Sequence, residues 1–338
     1  MRVLHLVGSP TTEFFAELSR LYAAGALQAL RGDGREHVVA HVAPDGTWTF
    51  PADLTPAAIA EAPALALPAA VERLTALAPD VAVPQLFCVA GMTTYRSLLD
   101  VLGIPFVGNR AETMAIGAHK PHARALVAAA GVPVAEARVL RRGEHPDLPL
   151  PVVVKPAAAD NSSGVTLVRE PGELDAALAA ASAHGDEVLV ERFVELGREV
   201  RCGVLERDGE LVCLPLEEYA VDADSKPIRD EADKLRRADG ELELVAKDAV
   251  HASIVPVDDP VTEVVWAAAR TAHRALGCRH YSLFDFRVDP AGRPVFLEAS
   301  LYCSYSPSSV LAVMAAAAGI GVAELFTEGV ARATATAR

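Results

Sequence analysis

No two of the five cysteines (Cys88, Cys202, Cys213, Cys278, Cys303) stand in a CxxC or metal-finger spacing, and their number is odd. That argues against a disulfide framework or a zinc finger and fits reduced thiols in a cytosolic protein. Basic residues are also in short supply: 31 Lys and Arg face 45 Asp and Glu, a formal net charge of −14. A general nucleic-acid binder carries a basic surface, so no nucleic-acid partner is expected. A nucleotide could still bind where a few lysines and arginines gather in one cleft. The opening MRVLHLVGSP is too short an apolar run for a signal peptide or a membrane span. The expectation is therefore a cytoplasmic chain with no membrane partner. No Ser-His-Asp or Cys-His arrangement stands out among the ten histidines, so no side-chain nucleophile is expected. There is no internal repeat.

What is present is enough apolar residue, 51% of 338, to build a sizeable core in two or three domains. The first part alternates strand and helix: strands at Val3–Val7, His37–Val42, Asp80–Cys88 and Ile104–Val107, helices at Phe14–Leu30, Ala69–Leu77 and Tyr95–Leu102. Repeated strand–helix units imply a parallel sheet with helices on its faces. A helix at His119–Ala130 follows. The texture then becomes α+β, with strands at Val152–Lys155, Val165–Arg169, Val188–Phe193 and Glu199–Leu205 and a helix at Glu173–Ala183. Further on come a long helix (Val261–Leu276), a hairpin (Ser282–Ser300) and a last helix near Val310–Ala318. The charge-rich Asp222–Gly240 is expected to be a mobile surface loop.

The hairpin SLFDFRVDPAGRPVFLEAS carries a metal signal. Pairing its strands about Ala291–Gly292 sets Asp285 opposite Glu298 and Leu283 opposite Ser300. Opposite residues share a face, and two facing carboxylates repel unless a cation lies between them. Oxygen ligands suit Mg²⁺, or Mn²⁺ in its place, with the remaining ligands drawn from water and substrate phosphates. By parity Arg287 and Ser300 share that face. A surface hairpin with two solvated acids is the plainer alternative, but the acids interrupt apolar runs.

The stretch PVVVKPAAADNSSGVTLV reads as strand, small-residue loop, strand. Backbone N–H groups and hydroxyls, here Ser162 and Ser163, can wrap phosphate oxygens only where side chains are small. Lys155 at the strand end would add a point charge, and Lys120 a second. In VLVERFVELGREV a strand with Glu191 leads through Arg192-Phe193-Val194 to Glu199. Such a link can offer backbone groups to an adenine, and a carboxylate can accept from ribose hydroxyls. Alone the loop is an ordinary turn. Lysine, loop, acceptor segment and metal hairpin in this order would build one nucleotide cleft.

The ordered set LLDVLGIPFVGNRAETMAIGAHK, VVVKP, NSSGV, VERF, GRE, LGCRHYSLFDFRV and FLEAS resembles the ATP-grasp superfamily. Within it, the chain is similar to the D-alanine–D-alanine ligase-like carboxylate–amine ligases. The resemblance implies an α/β ATP-grasp fold: an N-terminal parallel-sheet domain (1–115) and two α+β subdomains (116–195 and 196–338) enclosing an ATP cleft. It implies ATP contacts from Lys120, Lys155, Glu191–Val194, Glu199 and Lys234, with Lys226 a nearby competitor for the last. The loop Asp160–Gly164 would close over the phosphates. Asp285 and Glu298 match the Mg²⁺ carboxylates, with Ser300 where the family has Asn. Glu13 resembles an acid that contacts the first substrate's amino group, though a first-turn helix acid fits it equally. Ser308 and Ser309 fall where the second amino acid's carboxylate binds, or where a helix is capped. A homodimer is also implied.

Three departures shape the functional expectation. Leu283 replaces an oxyanion-holding Arg, so either Arg287 or Arg279 takes that role beside Lys234, or the oxyanion is held differently. Ser300 replaces Asn, and PQLFCVAGMTTYRS lacks the family's His-Gly and Gly-Glu-Asp-Gly elements. The expectation is thus an ADP-forming amino-acid ligase working through an acyl phosphate, but not the housekeeping D-Ala-D-Ala enzyme. Two alternatives stay open: a ligase, ring-closing or otherwise, acting on a non-amino-acid carboxylate or acceptor, and a non-catalytic ATP-binding protein.

Overall fold

The computed structural model describes residues 1–159, 162–222, 226–229, 235–238, 241–244 and 252–335. Strands β1 (Arg2–Gly8), β2 (Glu36–Val42) and β4 (Val81–Pro84) are parallel, and β3 (Trp48–Thr49) adds an antiparallel edge, in the order β3-β2-β1-β4. Helices α1 (Glu13–Ala29), α2 (Pro56–Glu61) and α3 (Leu67–Leu77) connect these strands. Gly8 ends β1 at φ +102°, and a Cβ there would lie 2.1 Å from the Val42 carbonyl oxygen. Only glycine fits that approach. Ser19 on α1 then accepts from Gly8 N and donates to Gln85 O, tying helix to sheet.

After β4 the chain makes four helices, α4 (Val89–Met92), α5 (Thr94–Val101), α6 (Ala111–Ala118) and α7 (Lys120–Ala129). Two expectations are corrected here. The strand predicted to run to Cys88 stops at Pro84, because Cys88 caps α4 by accepting from Gly91 N. Ile104–Val107 forms no strand, only a bridge from Phe106 to Ala82. Its apolar run is short, and burial at Ile104, Phe106 and Val107 is satisfied by core packing instead.

Strands β5 (Ala137–Arg141), β6 (Val152–Pro156), β7 (Thr166–Val168) and β8 (Glu187–Arg192) form an antiparallel sheet in the order β5-β8-β6-β7, backed by α8 (Leu174–Ser182). The largest sheet follows: β9 (Arg198–Arg207), β10 (Glu210–Cys213), β11 (Glu217–Tyr219), β14 (Ala252–Ile254), β15 (Tyr281–Val288) and β16 (Pro294–Ala299). Its order is β14-β11-β9-β15-β16, with β10 also pairing β9. Strands β12 (Leu235–Ala238) and β13 (Glu241–Leu244) form a separate hairpin, so part of the expected Asp222–Gly240 loop is strand.

Alternation divides this sheet by face. Val200, Cys202, Phe284 and Phe286 share a core with Val265, Ala269 and Ala272 of helix α9 (Pro260–Ala275). Leu283 belongs to the other face. There it joins a core with Leu311 and Met314 of helix α10 (Val310–Ala317) and Phe326 and Val330 of helix α11 (Val322–Ala335). That core also contains Val3, Val81 and Val83 of the first sheet. Helix α11 was not anticipated from the sequence. No single helix among the described residues is long and apolar enough to cross a membrane; α10 and α11 pass only as a pair bent by 110°.

A polar joint locks the first domain to β15. Asn109 Nδ2 donates to the carbonyls of Tyr281 and Leu301, and Gly108 N donates to His280 Nδ1. Arg279 donates to the carbonyls of Gly108 and Phe106 and lies 4.7 Å from the Phe106 ring centroid.

Candidate active site

The sheet register sets the site. Asp285 lies opposite Glu298 on β16, opposite Arg201 on β9, and Arg201 lies opposite Glu217 on β11. One row, Glu217–Arg201–Asp285–Glu298, therefore crosses four strands on one face. The next row along is Tyr219–Glu199–Arg287. The expected Asp285–Glu298 pair holds, and Ser300 N donates to Leu283 O as that pairing requires. The register shifts between Asp285 and Phe286, which pairs with Phe296 and leaves Leu297 as the extra residue of a bulge. Both Leu297 and Glu298 consequently line the cleft.

That cleft has about 830 Å³ of empty space opening to solvent. It brings together Lys120, Lys155, Ser162, Ser163, Arg192, Phe193, Val194, Glu199, Asp285, Arg287 and Glu298. An adjoining cavity of about 410 Å³ shares Lys120 and Glu298 and is walled by Met92, Met114, Leu301 and Tyr302.

The lysines and Arg287 of the cleft are each paired with an acid. Lys155 Nζ lies 2.6 Å from Glu191 Oε2, and Arg124 Nε 3.3 Å from Glu191 Oε1. Glu191 is thus buried beneath the cleft as the counter-charge of Lys155; only the backbone of its hinge can face a base. Lys120 Nζ is 3.7 Å from Glu298 Oε2 and donates to Ala159 O. Arg287 Nη2 donates to Glu199 at 2.5 Å and to Pro227 O, its Nη1 donates to Val194 O, and its guanidinium lies over Phe193. Arg287 therefore braces the hinge, two residues along the strand from Asp285, and is not positioned as an oxyanion holder.

The cation beside Asp285 is Arg201, which sequence reasoning missed. Its Nε donates to Oδ1 at 2.5 Å and its Nη2 to Oδ2 at 3.4 Å. Burial opposes its charge, but Asp285, Tyr219 and Glu217 outweigh burial and raise its pKa. The spacing Glu199-x-Arg201 on a strand puts both on one face, so alternation alone could have found it.

Five further expectations are corrected by position. Arg279 is committed to the domain joint, so it stands outside the cleft. Glu13 is an exposed first-turn acid of α1 paired with Arg20. Ser309 is the N-cap of α10: its hydroxyl accepts from Ala312 N and donates to Ser304 O at 2.6 Å. Ser308 bonds the Ser306 hydroxyl at 2.8 Å and does not line the cleft. Ser300 follows Glu298 on the strand but is likewise not part of the lining. Lys234, Asp160 and Asn161 lie outside the described residues.

A strand-end lysine and a helix-start lysine, an acceptor hinge and two opposed carboxylates on this three-sheet frame define an ATP-grasp enzyme, an ADP-forming ligase that makes C–N bonds. Residues 126–330 match the family model for the D-Ala D-Ala ligase C-terminus. The chain is 33% identical to a D-alanine–D-alanine ligase of Geobacter sulfurreducens over 240 residues, 69% of this chain and 70% of that one. It is 33% identical to that of Citrifermentans bemidjiense over 234 residues, 68% and 70% of the two chains. Among solved structures, the VanG D-Ala:D-Ser ligase of Enterococcus faecalis has the same fold, with TM-score 0.80, 22% identity and coverage of 98% and 99%. A Bacillus anthracis D-alanine–D-alanine ligase complexed with ATP aligns with TM-score 0.72, 19% identity and coverage of 99% and 98%. The chain belongs to the D-alanine–D-alanine ligase family.

This finding overturns the expectation of an enzyme apart from the housekeeping ligases, and with it the non-catalytic and non-amino-acid alternatives. The departures that suggested it have local causes. Leu283 is 7% exposed within the core under α10, where a guanidinium would have no water. In Pro84–Ser97, Gln85, Leu86 and Phe87 are buried and Cys88 caps a helix.

Proposed function

We propose that the chain joins two molecules of D-alanine at the expense of ATP, in the cytoplasm, giving D-alanyl-D-alanine, ADP and phosphate. The observation that carries this reading is the gathering of Lys120, Lys155, Asp285 and Glu298 in one cleft. Its substrate assignment comes from the relatives named D-alanine–D-alanine ligase.

Adenine would lie against the hinge Arg192–Val194, and the ribose hydroxyls would bond the Glu199 carboxylate, which Arg287 holds in place. The triphosphate would run toward Lys155 and Lys120, with Ser162 and Ser163 above it and Lys234 supplying a further contact. Asp285 and Glu298 fit a hard divalent cation: their carboxylates face each other, and each is now neutralised by a side-chain cation, Arg201 or Lys120. Mg²⁺ bound there would lower the charge on the transferring phosphoryl group. One D-alanine carboxylate attacks the γ-phosphate, giving an acyl phosphate and ADP. The amine of the second attacks that carbonyl, and phosphate leaves. We assign charge stabilisation at the reacting carbonyl to Arg201, in place of Arg287 or Arg279. The division into 1–115, 116–195 and 196–338 follows the three main sheets, and we propose a homodimer with no nucleic-acid or membrane partner.

The test is phosphate release from Mg-ATP with D-alanine, L-alanine and mixed pairs, with mass spectrometry of the products. D-alanine-dependent release with a dipeptide product supports the reading. Release that ignores D-alanine, or that needs a different acid, overturns it.

A further inference from the structure

Glu217 is 3% exposed, yet its Oε2 has no hydrogen-bond partner among the described residues. It stands on the same sheet face as Asp285, directly opposite Arg201. The guanidinium hydrogen bonds of Arg201 go the other way, to Asp285. A buried carboxylate oxygen that lacks a donor is costly to keep. It is also an acceptor held ready for a cationic donor brought in by a ligand.

The row fixes what kind of donor fits. Glu217 and Asp285 flank Arg201 and are two strand spacings apart, about 10 Å. That length takes an ammonium at Glu217, a carboxylate beyond it, and a phosphoryl group at Asp285. Tyr22 on α1 lies within electrostatic reach of Arg201 and Glu217, so a side chain of the first helix neighbours this end of the row. Glu13, the acid the sequence favoured for this task, is exposed and held by Arg20.

We propose that Glu217 receives the ammonium group of the activated amino acid, with Arg201 as the boundary between that subsite and the phosphate end. The proposal rests on the ligase reading above and names the group that selects an amino acid over another acid.

Steady-state phosphate release by Glu217→Gln tests it, because the change removes charge and keeps shape. The KM for D-alanine should rise about tenfold to a hundredfold, as for a lost hydrogen bond to a charged group. The KM for ATP should stay within about twofold. D-lactate, with a hydroxyl in place of the ammonium, should lose its disadvantage against D-alanine as the activated acid. Glu217→Asp, which keeps the charge but withdraws it, should fall between the two and serves if the Gln variant does not fold. An unchanged D-alanine KM overturns the subsite and leaves the ligase reading standing. So does an equal rise in both KM values, which would make Glu217 only the counter-charge of Arg201. A wild-type chain that neither binds D-alanine by calorimetry nor turns it over overturns both readings together.

Discussion

The two ends of the cleft differ in how their charges are held. At the nucleotide end Lys155, Glu191, Arg124, Glu199 and Arg287 form closed pairs at 2.5 to 3.3 Å. At the end proposed for the amino acid Arg201 is pulled to one side by Asp285, and Glu217 has an oxygen with no donor among the described residues. A closed network is organised before any ligand arrives, and ATP meets a set geometry. An open one stays costly until a ligand completes it. Binding energy at the second end can therefore be spent on choosing the substrate.

The largest expected effect tests the closed end. Lys155→Ala and Glu298→Ala should each lower ADP formation by at least about a hundredfold to a thousandfold, the usual loss when charge stabilisation of a transferring group is removed. Glu191 would keep Arg124 as a partner at 3.3 Å, so Lys155→Ala should still give a folded chain by circular dichroism. Wild-type turnover in either variant would dissolve the distinction between the ends.

Two arginines that sequence reasoning treated as equals sharpen it next. Arg287→Ala frees Glu199 and the hinge, so the KM for ATP should rise by about tenfold or more. Arg279→Ala strips two carbonyl bonds from the domain joint and should cost about 2 kcal/mol in urea denaturation. Its kcat/KM should stay within about threefold of wild type. A turnover defect in Arg279→Ala at unchanged stability would return that residue to the catalytic machinery.

Why one end was legible and the other was not follows from these residues. Lys155, Glu191–Val194 and Glu199 lie at strand ends within local patterns, and Asp285 and Glu298 share a single hairpin. A hairpin's register can be counted from its turn, and only the bulge at Leu297 escaped the count. Arg201 and Glu217 acquire their positions from pairings between strands that the sequence does not connect by a tight turn. Their meaning depends on sheet order. Glu13 and Ser309 fail for another reason: an acid or a hydroxyl at a helix start satisfies local chemistry before it is free for any ligand. Of the fold, the long amphipathic helices and alternating strands were readable. Short strands such as Ala137–Arg141 were not, because tertiary pairing decides them.

Acid should separate the supporting domain from the cleft. Burial lowers the pKa of His5 to about 3, helped by His37 and opposed by Asp33. Burial, then Arg20, lowers His41 to about 4, and burial, then Arg279, lowers His280 to about 4. These rings are neutral in the fold, and His280 Nδ1 accepts from Gly108 N as a neutral ring can. Unfolded histidine takes up its proton near 6.5, so the unfolded chain binds more protons between about pH 6.5 and 4. Stability should therefore fall as pH drops through that window, by about 2 kcal/mol at pH 5 for His5 alone. Urea midpoints from pH 7 to 5 give the slope. His5→Gln should reduce that slope by about one proton. An unchanged slope would mean that His5 is already protonated in the fold.

The smallest effect belongs to Ser309, where substrate contact and helix capping make opposite forecasts. Its hydroxyl is engaged twice, by Ala312 N and by Ser304 O. Ser309→Ala should cost about 1 kcal/mol, as for other lost N-caps. The KM for D-alanine should hold within about twofold, because the group being removed has no hydrogen left to offer a carboxylate. Rescue of stability by Ser309→Asp would identify the cap, since a carboxylate caps a helix well and repels a substrate carboxylate. If Ser309→Ala instead kept wild-type stability and raised the KM for D-alanine, Ser309 would belong to the open end after all. The geometry favours the cap: α10 begins with Ser309 buried beneath its own first turn.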